Sequence, residues 1–252
     1  MSLTLGEILS LADQYEQVLP TAPQPFAAPD GAALAGWIDQ TLLKPETTSS
    51  EIRQLCADAQ QFSFASVCVN PSYVPLVASL LKGSQSKICT VIAFPFGANL
   101  PEMKAHETHS LIEKGAAEID MVINIGALKD QAWSLAFDDV LAVVQAAAGR
   151  TLVKVILETA FLTRREKIIG CLISKAAGAD FVKTSTGFGP GGATIEDVTL
   201  MRRVVGAGMG VKASGGVRTL ENARAMIRAG ANRLGTSAGV SILQVALQGV
   251  VA

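Results

Sequence analysis

Three lysines stand at positions where lysine is costly. Lys154, Lys183 and Lys212 each interrupt a short apolar or β-branched run: TLVKVILE (151–158), DFVKTS (180–185) and MGVKAS (209–214). They recur at an even spacing of 29 residues. A lysine facing a core loses hydration and is driven toward its neutral amine. Like charges held close together push one another the same way. A neutral amine attacks carbonyls and forms a Schiff base. The structural alternative is a buried ion pair of Lys154 with Asp120 or Glu158. For three lysines in a row, that alternative must compensate several desolvated cations at once. The cluster is therefore expected to hold at least one neutral, nucleophilic lysine, and Lys183, followed by a glycine-rich stretch, is the first candidate.

A second signal is glycine. The stretches TSTGFGPGG (184–192), SGGVRT (214–219) and GTSAG (235–239) each follow an apolar run. Glycines let backbone N–H groups approach a ligand closely, and the N–H groups at a helix start bind phosphate. Gly187, Gly215, Gly216 and Ser237 are the best candidates for such contacts. A phosphate at one end and a Schiff-base lysine at the other describe a sugar phosphate with a reactive carbonyl.

These residues need a frame. After residue 35 one unit repeats: a short apolar run, a turn, then an Ala/Leu/Glu/Arg-rich helical stretch. The runs are 36–43, 63–70, 87–94, 117–124, 151–158, 180–185, 209–214 and 232–237. Strands alternating with helices predict a parallel sheet. Eight of them in 252 residues fit a closed (β/α)8 barrel, a TIM barrel. The competitor, an open doubly wound sheet, usually begins with a Gly-rich turn after strand 1; here that position reads DQTLLKPET. Gly115-Ala116, Gly178-Ala179 and Gly230-Ala231 look like helix stops.

Alternation along each strand sorts the faces. Lys154, Ile156 and Glu158 share one face, as do Lys183 and Ser185, Lys212 and Ser214, and Glu118, Asp120 and Val122. The opposite faces, such as Val153/Val155/Leu157 and Ile119/Met121/Ile123, are apolar and must meet the helices. The charged sets are thereby pushed inside the barrel. In such barrels a phosphate site commonly follows strands 7 and 8, where two of the glycine stretches fall.

Residues 3–19 place apolar side chains at helical spacing, and PTAPQPFAAPDG (20–31) reads as an extended connector. The expected organisation is an N-terminal helix and connector over 1–31 and one barrel over 32–252. The arm is expected to pack on its own chain rather than cap the barrel or reach another subunit.

Composition excludes other classes. Hydrophobic residues make up 49% and charged residues 17%, which supports a large core rather than disorder. A net charge of −1 invites neither nucleic acid nor an anionic membrane. No apolar run reaches the ~18 residues of a spanning helix. The start, MSLTLGEILS, lacks a basic leader, and four cysteines form no CxxC or dense framework. Both suit the cytoplasm. The two histidines, His106 and His109, lie on one helical stretch without a completing motif and read as surface residues. No metal and no cofactor is expected.

The stretches IDQTLLKP, SVCVNP, VIAFPFG, AEIDMVINIGAL, VKVILET, ADFVKTSTGF, VKASGGVRT and RLGTS, in this order between Trp37 and Leu243, resemble the deoxyribose-phosphate aldolases. These are class I aldolases built on the (β/α)8 barrel. The resemblance implies reversible cleavage of 2-deoxy-D-ribose 5-phosphate to D-glyceraldehyde 3-phosphate and acetaldehyde without a metal. It implies that Lys183 forms the Schiff base, Lys212 lowers its pKa, Asp120 shuttles protons through a water and Lys154 holds Asp120. It further implies that Asp39 and Cys68 line the substrate pocket, and that Gly187, Gly215, Gly216 and Ser237 take the phosphate. The family often forms homodimers, so a homodimer or higher homo-oligomer is expected. The alternatives are another Schiff-base barrel aldolase and a non-catalytic phosphate-binding barrel. Three positions depart from the family pattern: Gln40 where many members carry histidine, Phe188 where some carry a basic residue, and Ala238 where some carry a second serine.

Overall fold

A computed structural model describes residues 3–249. The outer ends of the two expected spans, 1–2 and 250–252, lie outside the described residues. The strands are Ile38–Leu42 (β1), Ser66–Val69 (β2), Lys87–Ile92 (β3), Glu118–Val122 (β4), Leu152–Ile156 (β5), Phe181–Lys183 (β6), Gly210–Ser214 (β7) and Arg233–Thr236 (β8). They pair in parallel in chain order, and β8 closes on β1 through Ile38–Leu234 and Asp39–Gly235. The helices are Leu5–Gln17 (α1), Ser49–Phe62 (α2), Val74–Leu80 (α3), Pro101–Glu113 (α4), Ile125–Lys129 (α5), Trp133–Ala147 (α6), Arg164–Ala176 (α7), Ile195–Val205 (α8), Leu220–Ala229 (α9) and Gly239–Gln248 (α10). The fold is a TIM barrel, and all eight strands fall within the runs read from the sequence.

Local chemistry sets the boundaries. Thr48 with Glu51, and Thr163 with Glu166, form reciprocal capping boxes that start α2 and α7. The three Gly-Ala pairs do stop helices. Gly115, Gly178 and Gly230 have φ of +106°, +88° and +118°. The following alanine amides donate back to Leu111, Ser174 and Met226. This six-to-one bond is the Schellman arrangement, and glycine takes its left-handed conformation without a Cβ penalty.

Two cores result. Val153, Val155, Leu157, Ile119, Met121, Ile123, Val182, Val211 and Ala213 pack between barrel and helices. Inside the barrel only Leu43, Cys68, Cys89 and Val91, with Phe94 against them, form an apolar cluster. The charged side chains share the rest of the interior with buried Val122 and Ile156, and two glycines make space there. A Cβ on Gly210 would lie 2.1 Å from the Phe181 ring, and one on Gly235 would lie 3.0 Å from Lys212 Cε.

The arm packs on its own chain, as expected. Helix α1 lies along α7 and buries Ile8 and Ala12. Arg165 on α7 pairs with Asp13 and, at 2.7 Å, with Glu16. The connector is held by Arg203, which donates to the Pro20 and Leu19 carbonyls at 2.8 and 3.0 Å. Among the described residues no helix is long and apolar enough to cross a membrane.

Candidate active site

The parallel register aligns the charged positions. Asp120 pairs with Lys154, Ile156 with Lys183, and Lys183 with Lys212. Alternation then sends all four charged side chains inward.

They converge on one carboxylate. Asp120 Oδ1 accepts from Lys154 Nζ at 2.8 Å, and Oδ2 accepts from both Lys183 and Lys212 at 2.7 Å. Lys212 also meets Asp39 Oδ2 at 2.5 Å, and Lys154 meets Glu118 Oε2 at 2.6 Å. Below them, Arg233 donates to Asp39 Oδ1 at 2.6 Å and reaches Glu118 at 3.3 Å. Four basic side chains thus share three carboxylates. Lys154 reaches all three, with Asp39 Oδ2 at 3.9 Å, and Lys212 holds two, whereas among the described residues Lys183 has only its share of Asp120 Oδ2.

Burial alone would raise the Asp120 carboxyl; the three lysines outweigh it and hold Asp120 well below the usual carboxylate range. Asp39 is likewise depressed, by Lys212, Lys154 and Arg233 against burial. Burial would lower Lys154 and Lys212, but their carboxylates hold both above the ordinary lysine value. Both therefore stay charged, against the expectation that crowding weakens every cation in the cluster. The carboxylates between the lysines screen their repulsion.

Lys183 is the member that meets the open end of the barrel. Its side chain is 3% exposed, whereas Lys154 and Lys212 are at 0%. It sits at the floor of a cleft of about 370 Å³. Gly187, Gly215, Gly216 and Ser237 line the same cleft, as do Thr41, Leu43 and Phe188. Gly187 and Gly216 have φ of +88° and +83°, and a Cβ on either would meet nothing within 4 Å. Neither amide has an acceptor among the described residues. The Gly192 Cα would lie 2.9 Å from a Cβ on Gly215, so the loops after β6 and β7 touch there.

Two expected pocket residues are placed elsewhere. Asp39 and Cys68 are fully buried and lie off the cleft wall. Thr41 and Leu43, further along the inward face at β1, occupy the wall instead. The Cys68 thiol is hydrogen-bonded with Cys89, which lowers its pKa. Cys89 in turn lies 3.2 Å from Asp120 Oδ1. Glu158 also departs from its expected place. It has a φ of +54°, which breaks the strand alternation, and its carboxylate accepts from the Thr186 amide at 3.1 Å rather than from Lys154. Both histidines are exposed on α4.

Gln40 was legible only as a departure from a pattern. Its Oε1 accepts from the Gly239 amide at 3.0 Å and so caps α10 from across the barrel seam. No local signal marks a contact 199 positions away. Arg233 could have been found, because it shares the inward face of β8 with Gly235.

Cys68, Cys89 and Asp120 bring potential metal-ligand atoms within 4.8 Å of one another, as do Asp39, Cys89 and Glu118. Both sets share carboxylates already bound by ammonium groups, so a cation there competes with the lysines. The arrangement suits a carbonyl above Lys183, proton exchange through Asp120, and an anion at the glycine loops.

A family model described as DeoC/LacD family aldolase matches residues 34–249. The curated deoxyribose-phosphate aldolase of Halalkalibacterium halodurans is 60% identical over 212 residues, spanning 84% of this chain and 95% of that protein. That of a Geobacillus species is 59% identical over 211 residues, spanning 84% and 95%. Among solved structures, a tetrameric deoxyribose phosphate aldolase from Aeropyrum pernix superposes with a TM-score of 0.79 at 31% identity, covering 96% of this chain and 97% of that one.

Proposed function

The chain belongs to the DeoC/LacD family of aldolases, and from that premise we propose that it reversibly cleaves 2-deoxy-D-ribose 5-phosphate through a Schiff base on Lys183. The products are D-glyceraldehyde 3-phosphate and acetaldehyde. One observation carries the reading: of three lysines around Asp120, only Lys183 reaches the cleft that the glycine loops also line.

The reaction starts with the free amine of Lys183. It adds to the C1 aldehyde of the open-chain sugar, and loss of water gives an iminium. Removal of the C3 hydroxyl proton lets the C2–C3 bond break. The bonding electrons flow toward the iminium nitrogen and leave a neutral enamine, while C3 becomes the aldehyde of glyceraldehyde 3-phosphate. Protonation of the enamine at C2 and hydrolysis release acetaldehyde and return the amine. Asp120, 2.7 Å from Lys183 Nζ, is the group to move these protons, through a water. Lys154 fixes Asp120 from its other oxygen, and Lys212 holds the shared one. The amides of Gly187, Gly215, Gly216 and Ser237 take the phosphate. Asp39 acts from below, by anchoring Lys212.

We also propose that the chain works in the cytoplasm as a homo-oligomer. Four unpaired cysteines and the tetrameric Aeropyrum pernix relative support this.

The test is borohydride reduction in the presence of acetaldehyde, with the adduct mapped by peptide mass spectrometry. An ethyl group on Lys183 is the expected result. No adduct, or one scattered over surface lysines, would return the lysine cluster to a structural role.

A further inference from the structure

Glu158 carries three separate costs and touches no reacting atom. Its backbone is left-handed at φ +54°, a region that non-glycine residues rarely occupy. The residue is 1% exposed, yet no lysine, arginine or histidine among the described residues pairs with it. One carboxylate oxygen, Oε1, is buried without a hydrogen-bond partner. A fold keeps such a residue when something nearby depends on it.

What depends on it is the loop after β6. Oε2 accepts from the Thr186 amide at 3.1 Å and from the Thr186 hydroxyl. The Thr186 hydroxyl oxygen in turn accepts from the Phe188 amide at 3.0 Å. Gly189 lies flat on the same carboxylate, where a Cβ would sit 3.0 Å from Glu158 Cδ. Thr186 is thus bonded to Glu158 directly and Phe188 through the Thr186 hydroxyl, Gly189 packs on the carboxylate, and Gly187 between them is left with its amide free and its φ at +88°. Phe188 then meets Phe94 from the loop after β3, edge to face at 5.3 Å between centroids.

We infer that Glu158 is the positioning residue of the phosphate end of the cleft: it fixes the 186–189 loop so that Gly187 presents its amide and Phe188 closes the opposite wall. This rests on the proposed phosphate site. The hydrogen bonds, not the charge, do the positioning, because a neutral glutamine oxygen can accept from the same two donors.

The experiment compares 2-deoxy-D-ribose 5-phosphate with unphosphorylated 2-deoxy-D-ribose as substrates for wild type, Glu158→Ala and Glu158→Gln. For Glu158→Ala, KM for the phosphorylated sugar is expected to rise tenfold or more. Its kinetics on the unphosphorylated sugar and its borohydride trapping with acetaldehyde are expected to stay within twofold of wild type. Glu158→Gln is expected to restore KM to within about threefold. Equal losses on both substrates, an unchanged KM in Glu158→Ala, or a Glu158→Gln variant as impaired as the alanine one would overturn the inference. Should Glu158→Ala fail to fold, Thr186→Val removes one of the two bonds and must raise the same KM selectively; if it does not, the inference falls. A wild-type protein indifferent to the phosphate would strike down the phosphate site itself, before any variant is read.

Discussion

Lys183 and Lys212 donate to the same oxygen, Oδ2 of Asp120, each at 2.7 Å. The two lysines share a single acceptor oxygen there. Lys212 has Asp39 as a second partner at 2.5 Å, and Lys183 has none among the described residues. Replacing Lys183 with alanine is expected to abolish turnover and the trapped adduct together. Asp120→Asn keeps the shape but not the base, and kcat is expected to fall by ~10²–10⁴. Steady-state kinetics on the purified variants check both, and an active Lys183→Ala protein would sink the assignment.

Gly235→Ala tests the packing under that pair. The new methyl would come within 3.0 Å of Lys212 Cε and 2.9 Å of Ser214 Cβ. Overpacking of this kind costs about 1–3 kcal/mol. We expect a lower melting temperature and a reduced kcat, with borohydride still labelling Lys183. Retained wild-type kcat would mean that Lys212 can move without consequence.

The network also fixes how stability varies with pH. Asp120 and Asp39 are depressed in the folded state, so their stabilisation is fully present above the unfolded carboxylate value of ~3.9. It is lost as the pH falls from there toward the folded values. Lys154 and Lys212 are raised, so theirs is fully present below ~10.4 and lost only at higher pH. Melting temperatures from pH 3 to 11 should therefore show a plateau from about 5 to 10. A steep fall near pH 6 would contradict the assigned charges.

Gln40→Leu removes the cap of α10 and leaves the buried Gly239 amide without its acceptor. The expected cost is ~1–3 kcal/mol. Ser237 precedes that helix, so KM for the phosphorylated substrate should rise alongside. Calorimetry and kinetics on one preparation measure both effects.

Removal of residues 1–17 strips α1 from α7 and uncovers the site of Ile8 and Ala12. Losing one large aliphatic contact of this kind costs about 2–3 kcal/mol, or roughly 5–10 °C for a chain of this size. None of residues 3–17 lines the cleft. We expect kcat to be unchanged in the truncated protein at 25 °C, and a lost kcat would give the arm a role in catalysis.

The barrel was legible because its grammar is local. Short apolar runs, threonine caps and Gly-Ala stops each announce themselves within a few residues. The inward lysines were legible because alternation by two is rigid within a strand. Alternation fails where the strand ends, which is why Glu158, two residues past β5 and left-handed, leaves the lysine face that alternation predicts and holds Thr186. The resemblance puts Asp39 on the pocket wall, but depth along a barrel axis depends on strand tilt, which no single strand's sequence displays. Gln40 was visible as an oddity, but its partner, the Gly239 amide, is brought near only by closure of β8 on β1.

The four-to-three ratio of basic to acidic groups has a consequence for the course of the proposed reaction. With Lys183 as a free amine, three cations face three carboxylates and the interior is electroneutral. Forming the iminium adds one positive charge without adding a carboxylate. Breaking the C2–C3 bond moves that charge rather than cancelling it: the enamine is neutral, and the C3 hydroxyl proton passes through the water to Asp120. The surplus sits on nitrogen in the iminium and on the Asp120 proton beside the enamine, and it leaves only when hydrolysis frees the amine. The proton that leaves the C3 hydroxyl is the one the enamine needs at C2, so cleavage and condensation both run without the interior taking up a further charge, as a reversible lyase requires.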